Sequence, residues 1–378
     1  MLLRTVTVSF AVLLSTFVGA ASIEERTSLD LEERSFNLPG LCLKPEKRRE
    51  WRSLSKRERA DFLGAFKCMT KKQRNGKLSP VARPTDIPPV NPNSSFMDDI
   101  VYLHMDLNHW VHFTGLFLPW HRHYIHEFQR TLRKECGFKG TLPYWNWALD
   151  AADTEHSPIF DSDPHSGLGG WGNPEDDYQI NDGALGDAIF NYPVPHRLRR
   201  RYTLQAFLTK NGSPFYTNPS INVNETYTQA EVDKVRYGFR GDFHGMQSYL
   251  EAFQGMHSAV HNVIQGDLTG LCPKGSNVTV GCTPGPKWTP NDPFFFLLHG
   301  MVDKIWSDWQ NKHPENKYAF EGGSVQMIQN TTIFNQYPTG APPNLHYNSV
   351  VPMAGMFPDT RVKDVMSTKK GKLCYVYV

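Results

Sequence analysis

Two groups of three histidines, far apart in the chain, constrain the possible folds most strongly. The first group is His104, His112 and His121, and the second is His257, His261 and His299. His257 and His261 are four residues apart, so on a helix they lie on one face, one turn apart. Helices that bring each group together could hold a pair of metal ions. The pattern predicts a mainly α fold with a four-helix bundle around a dinuclear site, long surface loops and short β pieces.

The donor atoms favour copper as the metal. Di-iron bundles use Glu and Glu-x-x-His ligands, which are absent at the equivalent places in this sequence. Neutral imidazole suits copper in both oxidation states, and three ligands per ion leave a position open for dioxygen. Zinc also accepts three histidines and a water, but a dizinc hydrolase would normally need a bridging carboxylate and a base. We therefore predict two copper ions, with a dizinc hydrolase as the distant alternative.

The nine remaining histidines of the 15 are interpreted as ordinary core or surface residues. His123 and His126 are near His121 in sequence, but they point to other sides of its predicted helix. The others given this interpretation are His109, His156, His165, His196, His244, His313 and His346.

Apolar periodicity and capping signals place the six selected histidines on or beside helices. Helices are predicted from residue 96 onwards, over 119–136 and over 247–263. Asp292 followed by proline is a strong start signal and predicts a helix over 293–309.

Other segments predict a helix within 45–75, a proline-rich connector over 80–92, loops over 150–230 and a strand-like end at 375–377. No linker divides the chain cleanly, so residues 41–378 are expected to form one domain.

The N-terminus predicts a secreted protein. Residues 1–20 have a charged start at Arg4, an apolar stretch and a small-residue cleavage site, which is typical of a signal peptide. Residues 21–40 are charged and without periodicity, so we expect a flexible or removable segment. No other apolar stretch approaches the ~20 residues of a membrane-spanning helix, and no membrane partner is expected.

Six cysteines fit disulfides in that compartment, and Cys272 with Cys282 is the easiest local pair. Five sequons also fit secretion. They begin at Asn93, Asn211, Asn224, Asn277 and Asn330.

The overall charge does not indicate an acidic partner. Lys+Arg 40 against Asp+Glu 38 leaves the chain close to neutral. The basic run from Arg197 to Arg201 is interpreted as a solvated face and not as a nucleic-acid patch.

The histidines lie within longer motifs. These are FLPWHR at Phe117–Arg122, PYWNW at Pro143–Trp147, NDPFFFLLH at Asn291–His299, VDKIW at Val302–Trp306 and YVY at Tyr375–Tyr377. Together they resemble the tyrosinase and catechol oxidase (polyphenol oxidase) family of type-3 dicopper proteins. The chain is similar to the short secreted fungal members, so the C-terminal shielding domain of longer relatives is expected to be missing.

The resemblance covers roughly residues 95–310 and the C-terminal motif. It implies that the first histidine group binds one copper and the second group binds the other. The implied activity is oxidation of o-diphenols (catechols) to o-quinones with reduction of dioxygen. A copper pair matches the two-electron count of both half-reactions. An o-aminophenol oxidase, a secondary-metabolite phenol oxidase and a haemocyanin-like oxygen carrier remain as alternatives.

Residues beside the ligands bear on the substrate. By resemblance, Glu251 looks like the glutamate that helps some relatives deprotonate monophenols. The position after His257, where an asparagine is often found, holds Ser258, and Asn262 instead follows His261. This departure predicts weak monophenol hydroxylation at most beside catechol oxidation.

Four further positions are compared with relatives. Trp110 stands where some carry a cysteine bonded to histidine, and Leu298 replaces a histidine that often precedes the last ligand. Phe295 and Phe296 either line a ring pocket or pack as core. Asp303, one turn after His299, either supports the ligands or forms an ion pair with the N-terminal region.

Overall fold

Helices dominate the fold, as the histidine spacing predicted. The computed structural model describes residues 42–276 and 281–378. In chain order its helices are α1 (Lys56–Lys71), α2 (Phe96–Val111), α3 (Phe117–Cys136), α4 (Gln229–Tyr237), α5 (Phe243–Glu251), α6 (Met256–Ile264), α7 (Pro293–Lys312), α8 (Thr331–Gln336) and α9 (Val362–Val365). The predicted signal peptide, the segment 21–40 and the sequon at Asn277 lie outside the described residues.

The β structure consists of short pairs of strands. The parallel pair is β1 (Glu46–Arg48) with β8 (Tyr375–Tyr377), and the antiparallel pairs are β2 (Ile189–Phe190) with β3 (His196–Arg197), β4 (Gly323–Val325) with β5 (Ala341–Asn344), and β6 (Val350–Val351) with β7 (Thr360–Arg361).

The local sequence explains where two of the long helices begin. Ser95 caps α2: its hydroxyl accepts the Asp98 N–H at 3.1 Å, and the Asp98 carboxylate accepts the Ser95 N–H at 2.7 Å. Asp292 caps α7 by accepting the Phe294 N–H at 2.9 Å, with Pro293 in the first turn. The start that Asp292 predicted is therefore confirmed.

An aromatic core fixes α1, α3 and α7 against one another. The rings of Phe128 and Phe296 stack with centroids 3.6 Å apart, and Phe66 from α1 lies 5.9 Å from each of them. All three side chains are fully buried. Replacing such a ring with alanine typically costs about 3–5 kcal/mol. The two helices that carry His121 and His299 are therefore held by close packing.

The helical pattern predicted over 247–263 is confirmed, but a break that the sequence did not predict divides it into two shorter helices. Helix α5 ends at Glu251, and α6 begins after Gly255, whose N–H donates to the Ala252 carbonyl at 2.8 Å. A Cβ on Gly255 would lie 2.6 Å from the Tyr249 carbonyl oxygen. This close turn requires glycine, and it separates Glu251 from the helix that carries His257 and His261.

The helix predicted within 45–75 is confirmed only over α1, because its N-terminal part is β1. That strand pairs with β8, and the Cys42–Cys374 disulfide joins the same two chain segments. The guanidinium of Arg48 lies 3.6 Å from the Tyr375 ring centroid. The pairing partner is at the other end of the chain, so local periodicity could not reveal it.

The loops predicted over 150–230 are largely confirmed, with short 3-10 turns and the β2–β3 pair within them. The Cys272–Cys282 disulfide is also confirmed, and Cys68–Cys136 joins α1 to the end of α3. Within residues 42–276 and 281–378, none of the helices combines the length and apolarity that crossing a bilayer requires.

The solvated face predicted for Arg197–Arg201 is wrong for its centre. Arg199 and Arg200 are buried, and each pairs with a carboxylate, Asp177 and Asp292 respectively. These side chains are used inside the fold and form no basic patch.

Candidate metal centre

The first histidine group is assembled by α2 and α3. His104 lies within α2, His112 is the capping residue directly after its C-terminus, and His121 lies in the second turn of α3. One ligand nitrogen from each of the three lies within 4.8 Å of the others. The rings of His112 and His121 have centroids 4.9 Å apart. The group is compact enough to hold one ion.

The second group is assembled by α6 and α7. His257 and His261 share one face of α6, with ring centroids 4.8 Å apart, and His299 lies within α7. Their ligand nitrogens also lie within 4.8 Å of one another. The two groups are neighbours, because His121 stacks on His299 with centroids 4.1 Å apart and planes 7° from parallel. Two separate pairs of helices therefore bring six imidazoles into one centre.

Backbone carbonyls orient four of the imidazoles. Nδ1–H of His104 donates to the Lys287 carbonyl at 2.6 Å, and Nδ1–H of His261 donates to the Leu268 carbonyl at 2.7 Å. His112 and His121 each donate to the carbonyl four residues earlier, at 3.0 and 2.8 Å. With the proton on Nδ1, the lone pair of Nε2 is free to bind a metal.

Buried ring nitrogens without partners mark the centre itself. Nε2 of His104, His121, His257 and His299 is buried and has no hydrogen-bond partner among the described residues. An unpaired buried polar atom is costly unless it is satisfied in some other way. A metal ion bound to each histidine group would satisfy these atoms.

Burial keeps the six imidazoles neutral. It lowers the pKa of His104, His121, His257 and His299 well below the usual 6.5, and the neighbouring histidines lower the pKa of each further. Burial likewise lowers the pKa of His112 and of His261 to about 4. Neutral imidazole is the form that binds metal, and neither group includes a carboxylate or thiolate. The donor set therefore fits a copper pair.

A cavity of about 370 Å³ opens onto this centre. His112, His257 and His261 are part of its wall. Its size lies in the range of small-molecule sites. A ligand in this cavity would meet ring atoms from both histidine groups.

The three residues predicted beside the ligands, Glu251, Ser258 and Asn262, all line the same cavity. Glu251 is buried, and its carboxylate accepts the Phe113 N–H at 2.6 Å and the Gln247 amide N–H at 3.1 Å. Burial raises the pKa of Glu251 well above its usual value. The Asn262 amide donates to the Ser258 carbonyl at 2.7 Å, one turn back on α6. Glu251 and Asn262 therefore line the cavity, but each already uses part of its hydrogen-bonding capacity within the protein.

Phe295 and Phe296, two of the three consecutive phenylalanines before His299, pack beside the centre and are absent from the cavity wall. The Phe295 ring lies 4.3 Å from that of His299 and 5.1 Å from that of His104. Phe296 stacks on Phe128 in the core. Both are fully buried, so the structure favours the core interpretation for them.

Asp303 forms ion pairs and does not contact the ligands. Its carboxylate pairs with Arg122 and, at 3.4 Å, with Arg48 from the N-terminal strand. The Tyr375 hydroxyl donates to it at 2.6 Å. Of the two interpretations offered by the sequence, the ion pair with the N-terminal region agrees with these contacts. This cluster joins both ends of the described chain to α3 and α7.

Two departures from the resemblance have plain structural settings. Trp110 has no thiol that could bond to histidine, and its side chain is 41% exposed at the end of α2. Leu298 is fully buried in the core.

Several histidines outside the two groups have other partners. His123 bonds through Nε2 to the Pro358 carbonyl, His126 stacks on Tyr375, and His196 pairs with Asp267. They are structural, as interpreted from the sequence.

Sequence reasoning missed several residues that shape the site. Phe113 and Phe253 line the cavity and stack on each other, while Lys287 and Leu268 orient ligands through their carbonyls. A carbonyl contact leaves no signal in side-chain identity. Asn108 could have been identified from the sequence, since its carbonyl lies one helical turn before His112 and accepts its Nδ1–H.

Comparison with known proteins places these features in context. Residues 94–312 match the family described as the common central domain of tyrosinase. Tyrosinase-like protein phomQ1 of Diaporthe leptostromiformis is 29% identical over 388 aligned positions, covering 100% of this chain and 87% of that protein. Oxidase hkm6 of Aspergillus hancockii is 30% identical over 312 positions, covering 74% of this chain and 99% of that protein. A polyphenol oxidase mutant from Thermothelomyces thermophila has a similar fold, with a TM-score of 0.61, 24% identity and 95% of each chain covered.

Proposed function

The chain belongs to the tyrosinase family, and from that premise we propose that it is a dicopper oxidase that converts o-diphenols to o-quinones. The observation that carries the proposal is the pair of adjoining tri-histidine groups that open onto one cavity. His104, His112 and His121 would hold one copper, and His257, His261 and His299 the other. When bound, the copper pair supplies the two-electron exchange between dioxygen and a phenolic substrate.

The protein's own contribution begins with the ligands. Carbonyl contacts set the orientation of four imidazoles, and burial keeps all six neutral, so little reorganisation accompanies metal binding. The close packing of Phe295 against His299 and His104 limits movement of these rings.

The cavity supplies the approach for an aromatic ring. Phe113 and Phe253 line its wall together with ligands from both groups. Aromatic side chains favour stacked or edge-to-face contact with a phenol ring. A ring held in this way would present its oxygen atoms to both histidine groups.

We further propose that monophenol hydroxylation is the weaker activity. Glu251 would accept the proton of a phenol, because it lines the same cavity as ligands from both histidine groups. The neighbouring amide of Asn262 donates to the Ser258 carbonyl and offers less support for a water beside Glu251. Oxidation of a catechol to its o-quinone adds no oxygen to the ring, so it omits the hydroxylation step and depends less on these residues.

Secretion is part of the proposal. Three disulfides close all six cysteines, which agrees with an oxidising compartment. Exposed sequon asparagines on the surface agree with it as well.

A substrate panel tests the proposed activity. Copper-loaded protein should contain two copper ions per chain and consume dioxygen with catechol and 4-methylcatechol, with slower turnover of 4-methylphenol. A preference for o-aminophenol over catechol would favour the aminophenol oxidase alternative. Reversible dioxygen binding without turnover of any phenol, in protein with full copper content, would overturn the proposal in favour of an oxygen carrier.

A further inference from the structure

A second cavity adjoins the one at the histidines. It measures about 250 Å³, and three residues stand in the walls of both cavities: Phe113, Glu251 and Phe253. None of the six histidines is part of the second cavity's wall. The two spaces therefore adjoin at these three residues, and the second one lies farther from the metal centre.

Four phenylalanine rings form the apolar surface of the second cavity. Phe253 stacks on Phe113 with centroids 4.6 Å apart and on Phe215 with centroids 4.4 Å apart. Phe334 meets Phe113 edge to face at 5.6 Å. All four rings are only half-buried, in contrast to the fully buried core aromatics. A cluster of partly exposed rings beside a functional cavity is typical of a contact surface for a ligand.

Phe113 takes its place in this cluster with a strained backbone conformation. Its φ of +52° lies in the left-handed region, which phenylalanine rarely adopts. The Glu251 carboxylate accepts its N–H at 2.6 Å, and its ring packs on Phe253 and Phe334. Such strain persists only where the surroundings fix it, and it is concentrated at functional sites.

The wall of the second cavity also limits the chemistry of an occupant. Glu251 is its one ionisable side chain among the described residues, and that carboxyl group is hydrogen-bonded to Phe113 and Gln247. The described part of this wall holds no lysine, arginine or histidine to pair with an anionic group. The surface therefore suits an uncharged aromatic group that can stack on phenylalanine rings.

We infer that the second cavity is a binding subsite for a second aromatic ring of an extended phenolic substrate. The inference rests on the proposed function, since it places the reacting phenol in the cavity at the histidines. Phe113 and Phe253 contact both parts of the substrate, while Phe215 and Phe334 contact only the distal ring. The natural substrate is thus a phenol that carries a neutral aryl extension.

The test compares binding of 4-benzylphenol and 4-methylphenol by calorimetry. Full-length, copper-loaded protein is used without dioxygen, so that no turnover occurs. We expect 4-benzylphenol to bind at least about tenfold more tightly, as two or more ring contacts would provide. Phe215→Ala and Phe334→Ala should each reduce this preference about fivefold. Ile333→Ala, adjacent on α8 but not part of either cavity wall, is the matched control and should retain it.

Equal affinity of the wild-type protein for the two phenols would overturn the inference. It would also be overturned if Phe215→Ala, which lies outside α8, kept the full preference in a folded protein. Turnover of catechol is measured separately. A binding preference without dioxygen consumption would uphold the subsite and overturn only the oxidase proposal. Catechol turnover without a binding preference would uphold the oxidase proposal and overturn the subsite.

Discussion

Arg200 holds both carboxylate oxygens of Asp292, with Nε and Nη2 at 2.7 and 2.9 Å from them. Both side chains are completely buried. Asp292 is also the residue that caps α7, the helix that carries His299. An arginine from a loop therefore fixes the start of a helix that carries a predicted metal ligand.

This pair predicts a large loss of stability in Arg200→Gln. Removal of the guanidinium leaves the Asp292 carboxylate buried and without its charge partner, which typically costs about 3–5 kcal/mol. Urea unfolding followed by circular dichroism would measure the change in the free energy of unfolding. Arg197→Gln, in the same run but exposed, is the matched control and should change it by less than about 0.5 kcal/mol. Equal effects of the two substitutions would contradict a clamping role.

Arg200 also illustrates what the sequence could and could not predict. The helix starts at Ser95 and Asp292 are local signals, and the spacing of His257 and His261 depends only on helical geometry. By contrast, a run of arginines gives no sign of whether carboxylates distant in sequence will meet it.

Other differences between the sequence predictions and the structure also arise from contacts that a local sequence pattern does not show. The strand at Glu46–Arg48 exists because of its pairing with Tyr375–Tyr377, at the far end of the chain. The break before Gly255 depends on a carbonyl that leaves no space for a Cβ. The contact between Phe113 and Phe253 requires two loops to meet, so neither ring stood out in the sequence. Local patterns predicted the helices and the candidate ligands, whereas long-range contacts determined the cavity walls.

His261→Ala tests the assignment of the second metal position. We expect the copper content to fall from two ions per chain to about one, because two imidazoles would hold the remaining ion weakly. Catechol oxidation should fall by at least about 100-fold. Copper is measured by atomic absorption and activity by dioxygen uptake. His156→Ala, whose side chain is 76% exposed, serves as the control and should leave both unchanged. Full copper content in a folded His261→Ala protein would rule out this residue as a ligand.

Glu251→Gln tests the proposed proton acceptor. Glutamine retains an oxygen that can accept the Phe113 N–H but cannot take up a phenol proton. We expect kcat/KM for 4-methylphenol to fall about 100-fold, in the range of general base catalysis. The value for 4-methylcatechol should change far less. Copper content and circular dichroism confirm that the variant is intact. Equal losses with the two substrates would refute the role of Glu251 in deprotonation.

The surface predicts which sequons carry glycans when the protein passes through a secretory pathway. Asn93, Asn211 and Asn330 are exposed, whereas Asn224 is half-buried and its Nδ2 donates to the Ala151 carbonyl at 2.8 Å. A glycan is attached through Nδ2, so we expect occupancy at the three exposed sites and little at Asn224. Mass spectrometry of glycopeptides from protein secreted by a eukaryotic host measures this. High occupancy at Asn224 with bare exposed sites would contradict the prediction.

The buried pair of His196 and Asp267 predicts how stability changes with pH. Burial alone would lower the pKa of His196, but the charge and the 3.0 Å hydrogen bond of Asp267, together with the Val194 carbonyl, raise it above the usual 6.5. The folded protein therefore holds this proton more tightly than the unfolded chain does. The stabilisation is complete below about pH 6.5 and is lost as the pH rises through the folded-state pKa.

We accordingly expect the contribution of His196 to the free energy of unfolding to decrease progressively as the pH rises above about 6.5. The buried imidazoles of the metal centre act in the opposite sense and at lower pH, because their pKa is lowered on folding. Urea titrations of the wild-type protein and of His196→Gln between pH 6 and pH 9 isolate the contribution of the pair. The variant should be less stable at pH 6, and the difference from wild type should shrink as the pH rises. A constant difference across this range would show that His196 is not protonated in the folded protein.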